Sequence, residues 1–182
     1  MERSIVAVSS QEKGDRQQRR SLVRFGIILF SCFLAFAIAY FKFRRSDVLD
    51  PFLSFNAKIA SFVWNLFGGS AEVDGVIISS GSDSFEVITE CTSIIPTAIL
   101  ICAVLAWRSS AREKLIGIAA GTTVLFVINI VRIISLVYVG SAFPDYLDVA
   151  HFYVWQVLLI LFTVGLWLFW AVKLVRTPPE NP

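Results

Sequence analysis

The chain has little charge, little sulfur and almost no imidazole. Only 16% of its 182 residues are Asp, Glu, Lys or Arg, whereas 56% are hydrophobic, and the mean hydropathy is +0.71. That balance excludes an ordinary soluble domain, which carries about 25% charged residues, and marks an integral membrane protein. One histidine and three dispersed cysteines supply no ligand set for a metal, and nothing in the chain asks for another cofactor. Cys32 and Cys102 lie deep in apolar runs, so the cysteines make no disulfide framework. There is no internal repeat. The basic N-terminal stretch reads as membrane topology, not as a nucleic-acid surface.

What is present is a set of long apolar runs. Residues 22–41, 115–139 and 152–172 each reach the ~20 residues that a spanning helix needs. A fourth run, 94–107, covers only about 21 Å as a helix, against a hydrocarbon core of about 30 Å. It must borrow upstream, giving a span of about 91–107. That helix starts either near Glu86 with a kink at Pro96, or at Thr92 or Ser93 with Pro96 in its first turn, where a missing N–H costs little.

Residues 52–67 carry Phe52, Phe55, Ile59, Phe62 and Leu66 at helical spacing, with Asn56, Lys58 and Asn65 among them. The expectation is an amphipathic helix in the interface or packed on the bundle, with a fifth span as the alternative. Residues 73–90 read as a small hairpin, two strands around "SSGSDS". A signal peptide at 22–41 is disfavoured by its length and by the lack of a small-residue cleavage site. The expected fold is therefore an all-α membrane bundle of four transmembrane helices, or five, with an interfacial helix and an extracytoplasmic β-hairpin.

Lys and Arg favour the cytoplasmic side. They crowd residues 1–21, the loop "RSSAREK" and the end, where Lys173 and Arg176 stand. Residues 42–90 hold four bases against seven acids, and "GSAFPDYLDVA" holds acids only. Lys42, Arg44 and Arg45 argue the other way and are outvoted. Residues 1–21 and 173–182 are thus read as cytoplasmic tails, 42–90 as extracytoplasmic and 91–172 as the transmembrane core.

An ionisable residue inside a span is expensive and is a functional hypothesis by default. Arg132, in "FVINIVRIISLVYVG", is the one here, and Asn129 shares its helical face at i, i+3. His151 opens the last span, Cys91 the short one, and topology sends all three towards one leaflet. Each has a plainer role available: Cys91 as packing, His151 as a headgroup contact, Arg132 as a structural charge paired with a carbonyl or with Asn129. Together they are the thiol, acid/base and fixed cation that cysteine acyl transfer requires. The helix N-terminus and Arg132 or protonated His151 are expected to lower the Cys91 pKa. Glu90 would oppose this and is expected to point away. Asn129, Glu90 and Ser135 are the candidate supporting residues.

With Cys91 before an apolar helix, "NIVRIISLVYVG" in the next and His151 before the last, the chain resembles the exosortase/archaeosortase family over roughly residues 75–172. The resemblance implies a multi-pass membrane cysteine transpeptidase working on the outer face of the cell (inner) membrane. Its partners would be exported proteins ending in a short motif, a transmembrane helix and a basic cluster. By the same resemblance Cys91 is the nucleophile, His151 the acid/base and Arg132 the stabilising cation. Two departures stand out. The family's usual Ser-Gly-Ile after the cysteine is here Thr92, Ser93, Ile94 and then Pro96, and fewer spans precede it. Both resemble the short exosortase H branch, whose substrates carry an Ile-Pro-Thr-Leu type of motif. Two other readings compete: a non-catalytic membrane protein that binds sorting-signal helices or assists polysaccharide export, and a small transporter subunit with Arg132 as a pathway charge. The sequence does not give the oligomeric state.

Overall fold

The computed structural model describes residues 2–43, 47–81 and 83–175, with side chains from Arg16 onward and none for Asp47. Five α-helices and a small sheet follow one another along the chain: α1 (Glu2–Phe43), α2 (Asp50–Leu66), β1 (Ala71–Asp74), β2 (Ile77–Ser80), β3 (Asp83–Glu86), α3 (Ile94–Ala106), α4 (Ala111–Ala142) and α5 (Trp155–Phe169). Three helical stretches are long and apolar enough to cross a bilayer: Arg16–Phe43, Ala111–Ala142 and Pro144–Leu174. At 13 residues, α3 is about 20 Å long and falls short alone. α2, at 17 residues, is not among the spanning stretches.

Local chemistry sets the helix ends. Pro51 stands in the first turn of α2 beside Asp50, where proline loses nothing and an acid meets the positive end of the helix dipole. α4 opens with a capping box: Glu113 N–H donates to Ser110 Oγ at 3.3 Å and Ser110 N–H donates to Glu113 Oε2 at 2.9 Å. One residue on, Lys114 Nζ donates to the Leu105 carbonyl at 2.7 Å, capping the end of α3. Trp170 Nε1 donates to the Glu113 carbonyl at 3.0 Å and ties the far end of the last span to the same corner. There a core of Leu100, Val104, Leu125 and Trp170 closes α3, α4 and the last span.

The opposite end is built around the sheet. The strands pair antiparallel in the order β1-β2-β3, with Val73 opposite Ile78 and Ile78 opposite Phe85. Gly75 and Gly81 supply the positive φ (59° and 64°) that their turns need. The expected hairpin at 73–90 is thus a three-stranded meander. The added strand begins at Ala71, where Asn65 holds both backbone groups: its Oδ1 accepts from the Ala71 N–H at 2.7 Å and its Nδ2 donates to the carbonyl at 2.9 Å. Residues 71–74 lack the β-branched run that marks a strand, so the anchor lies in α2 and not in the strand's own sequence. Ile78, Ala71 and Val87 bury against Ala57 and Ala60 of α2 and Ile133 and Val137 of α4, and half-buried Cys91 packs on the edge of that cluster.

One further expectation is revised. α1 does not begin at Leu22; its backbone is helical from Glu2, through the stretch read as a tail. On α2 the buried side chains are mostly small or polar, with Leu53 the large apolar exception. Leu53, Asn56, Ala57, Ala60 and Ser61 are its buried residues, while Phe55, Phe62 and Leu66 are exposed. Of the other expected tail, residues 176–182 lie outside the described residues.

Candidate active site

Cys91 closes a single 3-10 turn, Thr89–Cys91, immediately before α3. Its backbone N–H donates to the Ile88 carbonyl at 2.9 Å, and Thr92 Oγ1 donates to the Thr89 carbonyl at 2.6 Å. These bonds fold the chain into a tight elbow ahead of α3. α3 then starts at Ile94 with Pro96 in its first turn. Of the two expected starts the later is the one adopted, so Cys91 precedes the helix by three residues.

His151 arrives from the other side on a wide π turn, Val149–Val154, that leads into α5. Such turns re-aim side chains and recur at functional sites. Cys91 Sγ and His151 Nε2 stand 3.2 Å apart. For the thiol to donate, Nε2 must be the bare ring nitrogen, which puts the imidazole proton on Nδ1.

Arg132 enters from α4. It lies ten residues before the helix end, about 15 Å down the axis, and only 2% of it is exposed. Burial pushes the Cys91 thiol above its ordinary range. The Arg132 charge is the largest influence in the opposite direction, the Ile88 backbone bond helps it, and Glu90 pushes mildly up. Desolvation wins. The thiol pKa is therefore raised, opposite to the expected lowering, because the elbow packs Cys91 on the sheet-side core and Cys91 is not the first residue of a helix facing its dipole.

The supporting candidates separate. Glu90 is exposed, and its charge acts to raise the thiol pKa. Ser135 Oγ donates to the Arg132 carbonyl at 2.8 Å, within its own helix. Asn129 is fully buried and donates through Nδ2 to Asn56 Oδ1 at 3.4 Å. Asn56, on α2, stands out in the sequence only as a polar residue within the apolar stripe and not as a candidate for the site. The other two cysteines, Cys32 and Cys102, meet each other at 2.8 Å as free thiols between α1 and α3, a contact no pattern in the sequence announces. Among the described residues, no three His, Cys, Asp or Glu gather as a metal set.

An apolar cavity of about 820 Å³ opens among α1, α2, α3 and α4, and Cys91, Arg132 and His151 are not in its lining. Ser93 and Ile94 line it near Cys91, and Ile101, Cys102 and Ile118 line it farther along the helices.

The arrangement holds a thiol, an imidazole in contact with it and a buried guanidinium, each from a different segment. No curated protein and no solved structure matches the chain. The family described as transmembrane exosortase matches residues 14–171, a stretch that takes in all three groups and all but the last three residues of the three helical stretches long and apolar enough to cross a bilayer, and the chain belongs to that family.

Proposed function

We propose that the protein is a membrane-embedded cysteine peptidase or transpeptidase that cleaves C-terminal sorting signals of exported proteins. The observation that carries this reading is the 3.2 Å contact between Cys91 Sγ and His151 Nε2, across 60 residues of chain, beside a buried arginine. In this mechanism His151 Nε2 takes the proton from Sγ as sulfur bonds to the scissile carbonyl carbon. Arg132 stabilises the oxyanion that forms. The tetrahedral adduct collapses, the C–N bond breaks, and His151 passes its proton to the departing amine. The thioester left on Cys91 is then opened by an acceptor amine, alcohol or water, whose proton returns through His151.

The substrate's own membrane helix delivers the bond. The cavity beside α3 is apolar and begins near Cys91, so a helix lying against it presents the residues at its outer end to the thiol. The active site faces the extracytoplasmic side of the inner membrane, the side that the balance of Lys and Arg favours.

The test is processing of a protein with a motif, an apolar helix and a basic tail, coexpressed with variants. Cys91→Ser and Cys91→Ala abolish processing while the protein still accumulates in the membrane; Cys32→Ala and Cys102→Ala leave it intact. Processing that survives removal of all three cysteines overturns the mechanism. Binding of the substrate by Cys91→Ala, with no cleavage by the native protein, would instead favour a carrier of sorting signals.

A further inference from the structure

Two buried polar atoms beside the site lack protein partners among the described residues: Asn129 Oδ1 and Arg132 Nε. One is an acceptor and the other a donor. They sit three residues apart on the same face of α4, and both side chains are at least 98% buried. An unpaired polar atom in such surroundings is costly, so their joint presence asks for a reason.

The hydrogen bonds leading to them form a chain with a fixed direction. Asn56 Nδ2 donates to the Phe52 carbonyl at 2.8 Å, and a carbonyl can only accept. That fixes the orientation of the Asn56 amide and leaves its Oδ1 facing Asn129. Asn129 must then present Nδ2, which donates to Asn56 Oδ1 at 3.4 Å. Its Oδ1 is left for the other side. Had Asn56 been turned over, Asn129 would turn too, and an N–H would face the Arg132 Nε–H.

We propose that Asn56 is a positioning residue for the active site: it sets the Asn129 amide so that Oδ1 accepts from Arg132 Nε through one bridging water, and thereby aims the guanidinium at Cys91. Asn56 is wholly buried, on a helix that contributes no catalytic group, at the contact of α2 with α4. A residue there for packing alone needs no amide, since Ala57 and Ala60 beside it pack as methyl groups. The role rests on the proposed pairing of Cys91 with Arg132, so the test separates the two.

The experiment measures iodoacetamide alkylation of Cys91 against pH in membrane vesicles, in a Cys32→Ala/Cys102→Ala background where Cys91 is the one thiol. The charges acting on it are Arg132 and Glu90, with the His151 ring in contact. Asn56→Leu, close in volume, should move the alkylation midpoint upward and slow alkylation at pH 8 by roughly three- to tenfold, the worth of one hydrogen bond. Asn129→Leu should do the same, and the double variant no more than either, since all three break one relay. Asn56→Ala carries the same expectation should the leucine variant fail to accumulate. A structural defect alone would lower the amount of protein without shifting the midpoint. An unshifted midpoint in both Asn56 variants, or shifts that add in the double variant, overturns the inference. If Arg132→Gln also leaves the midpoint in place, the pairing of Arg132 with Cys91 falls; if only Arg132→Gln moves it, Asn56 alone loses its role.

Discussion

The protonation of Cys91 at rest makes a measurable difference. Burial pushes the thiol above its ordinary range despite the Arg132 charge. An ordinary cysteine, with a pKa of about 8.5, is roughly 3% thiolate at pH 7, and Cys91 must hold less. Because only the thiolate reacts with iodoacetamide, and because its fraction grows tenfold per pH unit below the pKa, alkylation should climb about a hundredfold between pH 6 and pH 8 with no plateau. The sign follows from the direction of the shift: a raised pKa keeps the proton on sulfur through neutrality and releases it only in the alkaline range. A preformed thiolate–imidazolium pair gives the opposite trace, flat across that interval. The assay is mass-spectrometric counting of alkylated Cys91 in the double-alanine background, quenched at timed intervals. A plateau from pH 6 to pH 8 would refute the desolvation argument and return His151 to the role of a standing counter-ion.

Three other expectations follow from the same geometry. Arg132→Lys keeps the charge and loses the planar fork and Nε–H, so processing should fall by about 10²–10³, the worth of one oxyanion donor; full activity would reduce Arg132 to a point charge. His151→Gln, which keeps a polar side chain and loses the base, should slow processing about 10²–10⁴-fold while Cys91 remains open to alkylation at pH 9. Finally, a Cβ at Gly140 would land on the Phe85 ring of β3, whereas one at Gly165 meets nothing. Gly140→Ala should destabilise the protein by about 1–3 kcal/mol in detergent thermal melts, and Gly165→Ala should be neutral or stabilising, since Ala is the better helix former by about 1 kcal/mol.

The parts of the fold that were legible were those governed by one dominant cost. A charge inside an apolar run is expensive enough to single out Arg132 from composition alone, and the lone histidine and the cysteine at a run's edge stood out by scarcity. Their meeting was inferred from topology, because three segments ending in one leaflet have little room to diverge. The elbow that carries Cys91 was not legible. It depends on which carbonyl Thr92 and the Cys91 N–H find, and hydrophobic periodicity is silent about that. The π turn at Val149–Val154 was hidden for the same reason, since its residues are ordinary helix residues.

α2 illustrates a different limit on pattern reading. Its aromatic stripe was visible, and in a soluble protein such a stripe marks the buried face. Here Phe55, Phe62 and Leu66 face outward, and apart from Leu53 the buried face is Asn56, Ala57, Ala60 and Ser61. Against lipid there is no hydrophobic gain in hiding a phenylalanine, so helices meet through small residues that let backbones approach and through polar side chains that bond across the seam. The signal for the packed face was therefore the pair of small or polar couplets one turn apart, Asn56-Ala57 and Ala60-Ser61. Ser61 bonds the Ala71 carbonyl at 3.0 Å and holds the sheet, while Asn56 reaches Asn129. One face of one helix thus supports both the elbow side and the arginine side of the site. A substitution there that made α2 more apolar should loosen the packing around Cys91 and Arg132 without exposing any new apolar surface to water.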